Sequence, residues 1–205
     1  MLSNFISLLT AYLKAKYHTA RIKYYKTCTL IKYRRKNIRI GGDNIFIGHL
    51  FIHQENNSHI TIGNHNTFLS KETSNNIGLN HKCMISATPL KDKTCSINIG
   101  NNNGFSGVSI WCFEKITIGN NCKFGANALI MDGDAHFEDS RTSPPSSITI
   151  EDNVWIGANA CIKKGVTIGQ NSIIGMNSVV THSIPANCIA AGNPCKIIKY
   201  IIQTT

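Results

Sequence analysis

The residues best suited to chemistry form the segment DGDAH, in which His136 follows Asp134 by two positions and Asp132 by four. A histidine titrates near neutral pH, so it can take a proton from a hydroxyl group under physiological conditions. A neighbouring carboxylate can fix the imidazole tautomer and stabilise the imidazolium as it forms. The segment therefore indicates a general base, and the two aspartates either orient His136 or serve as turn residues.

Other familiar catalytic patterns are missing from the sequence. It contains no Walker-type loop, no Gly-x-Ser-x-Gly elbow and no Gly-x-Gly-x-x-Gly motif after a predicted strand. None of the eight cysteines forms a Cys-x-x-Cys pair, which argues against a zinc ribbon or a redox dithiol. We expect free thiols in a reducing cytosol.

Charge divides the chain into an arm and a body. Residues 1–36 hold nine Lys or Arg and no acid, whereas residues 37–205 are nearly neutral, which argues against a nucleic-acid-binding face on the body. Apolar residues recur in the arm at three- and four-residue steps, which predicts an amphipathic helix: Phe5, Leu9, Tyr12, Leu13, Tyr17 and Tyr24. This helix packs on its own body or a sister subunit, or contacts an anionic membrane surface; a nucleic-acid arm is a third alternative. The run 1–13 is too short and too polar to span a bilayer, and no secretory signal is convincing.

The body is dominated by a six-residue repeat. Aliphatic residues fall every six positions without a slip at Ile150, Ile156, Ile162, Ile168, Ile174 and Val180. The same register includes Ile118, Phe124 and Ile130, and weaker stretches include Ile99, Phe105 and Trp111, and Ile62 and Phe68. A short strand followed by a tight corner has this period, and three such sides close a triangular coil. Ile150 then stacks under Ile168, Ile156 under Ile174 and Ile162 under Val180.

This geometry bears on the remaining histidines. His53, His59 and His65 are six residues apart, so each would point from a different side of the triangle. Stacked metal ligands would need an eighteen-residue step instead. We therefore expect no metal, with a metal-dependent hydratase as an alternative.

The repeat is interrupted between Ile130 and Ile150, in the segment that holds His136. Pro144 and Pro145 cannot lie in a central strand, so residues 131–149 are predicted to form a loop. Polar excursions from a regular scaffold commonly carry functional groups.

The hexapeptide pattern, the DGDAH segment and the run ITIEDNVWIGANACIKKGVTIGQNSIIGMNSVVTHSIPANCIAAGNPCKIIKYI together resemble the hexapeptide-repeat acyltransferases, in particular the bacterial sugar and polysaccharide O-acetyltransferases. The resemblance is strong over roughly residues 97–201. It implies an all-β fold, a left-handed parallel β-helix, preceded here by the helical arm. It also implies a homotrimer that binds acetyl-CoA between subunits.

The resemblance assigns residues as well. His136 matches the family's catalytic histidine, with Asp132 or Asp134 orienting it. The segments VWIGA, IGMNS, VVTH and GNPCKIIK match the family's cofactor groove, which on this sequence gives Trp155, Ala158, Met176, Thr181, His182, Lys196 and Lys199. The two lysines would contact phosphates, or form a solvated terminal face; Trp155 could instead be a packing residue.

The sequence thus predicts an arm over 1–36, a β-helix acyltransferase domain over 37–201 with the loop 131–149, and a tail over 202–205. The predicted function is acetyl-CoA-dependent O-acetylation of a sugar hydroxyl in a surface polysaccharide or its precursor, in the cytoplasm or at the inner face of the membrane. Acceptors such as an amino-sugar nucleotide, serine or an antibiotic, and a non-catalytic β-helix scaffold, are the alternatives.

Overall fold

The computed structural model describes residues 2–34 and 37–202, with side chains from residue 10 onward. The arm is helical, and the body is a prism of three parallel sheets whose strands alternate along the chain. The helix is α1 (Leu2–Lys32). Sheet A contains β1 (Ile38–Ile40), β4 (Ser58–Ile62), β7 (Cys95–Ile99), β10 (Lys115–Ile118), β13 (Ile148–Ile150) and β16 (Thr167–Ile168). Sheet B contains β2 (Ile45–Ile47), β5 (Thr67–Leu69), β8 (Gly104–Ser106), β11 (Lys123–Phe124), β14 (Trp155–Ile156), β17 (Ile173–Ile174), β19 (Cys188–Ala191) and β20 (Lys196–Tyr200). Sheet C contains β3 (Phe51–Gln54), β6 (Met84–Ala87), β9 (Ser109–Cys112), β12 (Leu129–Met131), β15 (Cys161–Ile162) and β18 (Val179–Val180).

The strand register confirms the predicted stacking of the repeat. Ile150 pairs with Ile168, Ile156 with Ile174 and Ile162 with Val180. These side chains are completely buried in the prism axis. The fold is a left-handed parallel β-helix, as the resemblance to the hexapeptide-repeat acyltransferases implied. Only β20 departs from it among the described strands, because it turns back antiparallel to β19.

Stacked identical groups hold successive coils in line. The rings of Phe46, Phe68, Phe105 and Phe124 stack along sheet B at centroid distances of 5.4, 4.8 and 4.7 Å. Asparagines occupy many corners because they tolerate positive φ and can bond the next coil through their amides. In one such ladder the Asn66 N–H donates to Asn44 Oδ1 at 2.7 Å.

Trp111 is where the predicted register fails. The inward position in its strand belongs to Ile110, which is buried, while the Trp111 ring points outward and is 36% exposed. The interval from Phe105 to Ile110 is five residues rather than six, because the corner around Gly107 is one residue shorter than that of a regular six-residue side.

Helix α1 closes the first coil of the prism. Thr29 of the helix and Tyr33 just after it are buried against this coil. The Tyr33 hydroxyl donates to the Leu50 carbonyl at 3.1 Å and accepts from the Ile52 N–H at 2.9 Å. The hydroxyl thereby satisfies backbone groups of an edge strand that has no further neighbour. Neither α1 nor any other described helix is long and apolar enough to cross a membrane.

Three sequence predictions fall partly outside the described residues. The residues concerned are the Phe5 and Leu9 side chains, Arg35 and Lys36 of the arm, and residues 203–205 of the tail.

The eight cysteines are free thiols.

Candidate active site at the corner between sheets C and A

The predicted loop leaves the prism where β12 of sheet C ends and returns at β13 of sheet A. Its return is fixed by backbone bonds, because the Ser146 N–H donates to the Asp132 carbonyl and the Gly165 N–H donates to the Ser146 carbonyl, each at 2.9 Å. Lys164 also donates to the Ser143 carbonyl at 2.7 Å. The loop, which we call the flap (residues 132–147), is therefore an ordered excursion tied to the next coil.

His136 lies at the outer turn of the flap with its side chain 79% exposed. Its carbonyl accepts from the Asp139 N–H and the Thr142 hydroxyl, both at 3.1 Å, which fixes the backbone beneath the imidazole. Its Nδ1 is 3.6 Å from Glu138 Oε1. This spacing leaves Nε2 as the ring nitrogen directed away from the carboxylate.

The residues beside His136 are constrained. Ala135 has a φ of 65°, whereas every other described residue with positive φ is Asn, Asp, His or Gly. An alanine in this region costs roughly 1 kcal/mol or more, and such strain is common at functional sites. Phe137 packs edge-on against Phe113 at 4.8 Å, so the flap is anchored on both sides of His136.

An aromatic row extends from this anchor across sheet C. The Trp111 ring lies 4.9 Å from Phe113, and its Nε1 donates to Thr88 Oγ1 at 2.8 Å. The indole is therefore held in one orientation while part of its face stays open to solvent. A strict six-residue register places Trp111 in the core and so does not predict this surface. The five-residue interval after Phe105 was the available signal.

Asp132 is fully buried and does not contact His136. Its Oδ1 accepts from the Phe113 N–H at 2.6 Å, and its Oδ2 accepts from the Glu114 and Lys115 N–H groups at 3.0 and 2.8 Å. The Cys112 thiol adds a fourth contact at 3.3 Å. Burial raises the pKa of the Asp132 carboxyl, and these donors oppose the shift. Asp132 was predicted either to orient His136 or to serve as a turn residue. The contacts favour the turn residue, because both oxygens of its carboxylate already accept hydrogen bonds from Phe113, Glu114 and Lys115.

Asp134 is engaged by lysines rather than by His136. It bonds Lys164 and lies 3.5 Å from Lys163, both in the corner after β15. The hydrogen bond from Lys164, with the charges of both lysines, lowers the pKa of Asp134. Asp134 therefore pins the flap to the next coil, a role that no sequence motif indicated. The carboxylate near the imidazole is that of Glu138, which the sequence analysis did not single out.

The predicted cofactor residues fall into two groups on one chain. Thr181 and His182 follow β18 at the C–A corner, the same corner as the flap, and share a 2.9 Å hydrogen bond between Oγ1 and Nδ1. The second group lies on sheet B or at the corner between sheets B and C: Trp155, Ala158, Met176, Lys196 and Lys199.

Within the second group, Trp155 and Lys199 lie on one line across sheet B. Trp155 pairs with Ile173, Ile173 with Ile189, and Ile189 with Lys199. Trp155 is 52% and Met176 65% exposed, and Lys196 and Lys199 are exposed, whereas Ala158 is buried. Trp155 is thus not a packing residue within one chain.

The two groups cannot meet within one prism. In a three-sided prism, the corner between sheets C and A lies opposite sheet B. His136 and the Trp155–Lys199 line therefore face in different directions, and only a second copy could bring both to one cleft.

Comparisons with known proteins agree with this fold. A family model described as the hexapeptide repeat of succinyl-transferase matches residues 115–133 and 147–182. A galactoside O-acetyltransferase of Escherichia coli (strain K12) is 43% identical over 90 residues, 42% of this chain and 44% of the relative. A galactoside O-acetyltransferase of Lactococcus lactis subsp. lactis (strain IL1403) is 34% identical over 124 residues, which are 51% of this chain and 56% of the relative.

The repeats of this chain thus match a hexapeptide-repeat family model, and the chain is similar to acetyltransferases that carry such repeats.

The matched segments of this chain span about half the length of these curated relatives. Its fold also matches a mutant of AntD, an N-acyltransferase from Bacillus cereus, in complex with dTDP-4-amino-4,6-dideoxyglucose and coenzyme A. The TM-score is 0.62 and the identity 17%, over 80% of this chain and 84% of that chain, which shows a shared fold alone. No group of three or more metal-ligating side chains occurs within residues 2–34 and 37–202.

Proposed function

We propose that this protein is an acetyl-CoA-dependent O-acetyltransferase that acts on a sugar hydroxyl of a surface polysaccharide or its precursor. The observation that carries the proposal is an exposed histidine on an anchored, strained flap, in a chain whose repeats match the hexapeptide-repeat family model. The galactoside O-acetyltransferases among the relatives support a sugar acceptor. The free thiols suit a reducing compartment, so we place the protein in the cytoplasm.

The chemistry assigned to His136 is a direct transfer. Nε2 takes the proton of the acceptor hydroxyl as its oxygen attacks the thioester carbonyl. The tetrahedral intermediate then expels the CoA thiolate, which takes the proton from the imidazolium and leaves as the thiol. Glu138, 3.6 Å from Nδ1, stabilises the imidazolium between these two steps.

The geometry of the prism supports a site shared between copies, and the resemblance implies that the copies form a trimer. If the C–A corner of one chain faces sheet B of the next, His136, Thr181 and His182 meet Trp155 and Lys199 of the neighbour. The lysines would bind the CoA phosphates and Trp155 would flank the adenine or the pantetheine arm. A cyclic arrangement repeats this seam at every subunit.

Mixed assemblies test the shared site. A variant with His136→Ala and a variant with both Trp155→Ala and Lys199→Ala are each expected to be nearly inactive at low acetyl-CoA. When the two are dissociated together and reassembled at equal amounts, about a quarter of the seams hold an intact His136 and an intact groove. Activity should therefore rise to about a quarter of that of the wild type treated in the same way. Recovery that does not exceed the sum of the separate variants would show that each site is built from one chain.

The aromatic row beside the flap supports a carbohydrate acceptor, because sugar rings pack their C–H faces on aromatic rings. Replacing Trp111 by alanine should raise the KM for the acceptor roughly three- to tenfold and leave the KM for acetyl-CoA unchanged. Trp111→Phe keeps a ring but loses the bond to Thr88, so its effect should be smaller. An increase confined to the KM for acetyl-CoA would contradict an acceptor role.

The overall activity is tested by the release of free CoA from acetyl-CoA in the presence of a panel of galactosides, glycans and amino-sugar nucleotides. Product analysis by mass spectrometry should show one added acetyl group, and mild alkali should remove it because it is an ester. An alkali-stable product would indicate N-acetylation, and no acceptor-dependent release across the panel would favour a binding scaffold.

A further inference from the structure

Helix α1 has apolar side chains on two opposite faces. The described part of the body covers the inner face, and it reaches the outer face only at Tyr24, whose ring lies 6.2 Å from that of His49. On the inner face, Ile22, Tyr25 and Thr29 are partly or fully buried against the first coil. On the outer face, the exposed fractions of Leu13, Tyr17, Tyr24 and Ile31 are 55, 66, 57 and 72%. Their spacing of four, seven and seven residues places them on one stripe of the helix. We call these four residues the outer stripe.

Cations flank the outer stripe on both sides. Helical spacing places Lys16 and Lys23 along one side, and Lys14 and Arg21 along the other. Lys16 lies over the Tyr12 ring at 5.1 Å, and Arg21 lies over the Tyr17 ring at 5.5 Å. Among the described lysines of α1, only Lys26 is within 4 Å of a carboxylate, that of Asp43 on the body. The outer half of the helix therefore presents positive charge that the described residues leave uncompensated.

A second copy of the helix is a poor occupant for this stripe. Helices that pair through an apolar seam usually place acids and bases opposite one another along its edges. Residues 1–36 contain nine Lys or Arg and no Asp or Glu, so two such helices would bring like charges together.

An anionic lipid surface matches both features. Aliphatic and tyrosine side chains settle at the boundary between headgroups and acyl chains, and flanking lysines extend to lipid phosphates. We propose that α1 lies in the plane of an anionic membrane with its outer stripe inserted, and that it anchors the prism there. The inner face of the same helix, together with Tyr33 just after its end, keeps the first coil attached.

This arrangement places the candidate site within reach of the membrane. The flap follows β12, which is three strands from β3 of the first coil in sheet C. At the usual spacing of parallel strands, that difference is about 15 Å. An acceptor sugar attached to a lipid could span this distance, but the membrane contact itself does not depend on the proposed acetyl transfer.

Co-sedimentation of the full chain with vesicles tests the proposal. The protein should bind vesicles of phosphatidylcholine containing about 30 mol % phosphatidylglycerol and should not bind phosphatidylcholine alone. Removing two flanking cations by Lys16→Ala and Lys23→Ala should lower the partition coefficient roughly thirtyfold. The matched control, Lys91→Ala with Lys93→Ala on an exposed loop, should bind as the wild type does.

A second pair of variants tests the apolar contact. Leu13→Glu in the outer stripe should lower the partition coefficient at least tenfold, whereas Ile77→Glu, at a residue of similar exposure on the body, should not change it. Light scattering should give the same oligomeric state for Leu13→Glu and the wild type. Absence of vesicle binding, or a lower oligomeric state for Leu13→Glu, would overturn the proposal, and the second result would assign the stripe to another copy of the chain.

Discussion

Replacing His136 by alanine is expected to lower kcat for acetyl transfer by a factor between about 10² and 10⁴, because this is what a positioned general base contributes. The KM for acetyl-CoA should change little, since the thioester is held by other groups. The imidazole is 79% exposed and its side chain makes no hydrogen bond within 3.5 Å in the described chain, so the fold should be unaffected. Steady-state release of free CoA with the best acceptor, together with circular dichroism, measures both effects.

The matched control is His59→Ala, at an exposed histidine on sheet A far along the chain from the flap. It should leave kcat unchanged. Glu138→Gln should have a smaller effect than His136→Ala, because Glu138 only stabilises the imidazolium. If His136→Ala kept more than half of the wild-type kcat, His136 would not be the base and the flap would lose its assigned role.

Replacing Asp132 by asparagine is expected to destabilise the protein by roughly 2–4 kcal/mol, which lowers Tm by roughly 5–15 °C. The buried carboxylate accepts from three backbone N–H groups through its two oxygens. An asparagine amide would turn an N–H₂ group toward at least one of these donors and leave both buried groups without a partner. Differential scanning calorimetry measures this loss, and activity per folded molecule should be largely retained below the lowered Tm.

The control for Asp132 is the neighbouring Asp134→Asn. Asp134 is partly exposed and its partners are Lys163 and Lys164, so the loss should be at most about 1 kcal/mol. A large fall in kcat for Asp132→Asn without a fall in Tm would support the orienting role for Asp132 and contradict the turn assignment. Equal losses of stability for both variants would contradict the expectation that the buried carboxylate of Asp132 stabilises the fold more than the partly exposed one of Asp134.

Several site features could be predicted from the sequence because the repeat fixes the register of neighbouring residues. The stacking of Ile150, Ile156 and Ile162 in the axis follows from the six-residue count. The resemblance, and not the count, assigned Trp155 and Lys199, and Lys199 lies on β20, which turns back antiparallel outside the repeat. The flap was predictable because two prolines and a break in the period cannot be accommodated in a strand.

The partners of the flap residues could not be predicted in the same way. The bonds from Phe113, Glu114 and Lys115 to Asp132 join residues 17 to 19 positions apart across adjacent coils. The DGDAH spacing alone made Asp132 and Asp134 equal candidates to orient His136. Their different surroundings come from the direction in which the chain leaves β12, which no local pattern encodes.

The six-residue repeat is enough to specify a prism of stacked coils and the position of the flap, because a strict period forces equivalent residues to stack. Four features come instead from folding in three dimensions: Asp132 is buried in the turn, Asp134 binds lysines, Trp111 faces outward, and α1 leaves an apolar stripe largely uncovered. These four outcomes depend on which surfaces the corners and the capping helix bring together, and that is set by contacts between residues distant in the chain.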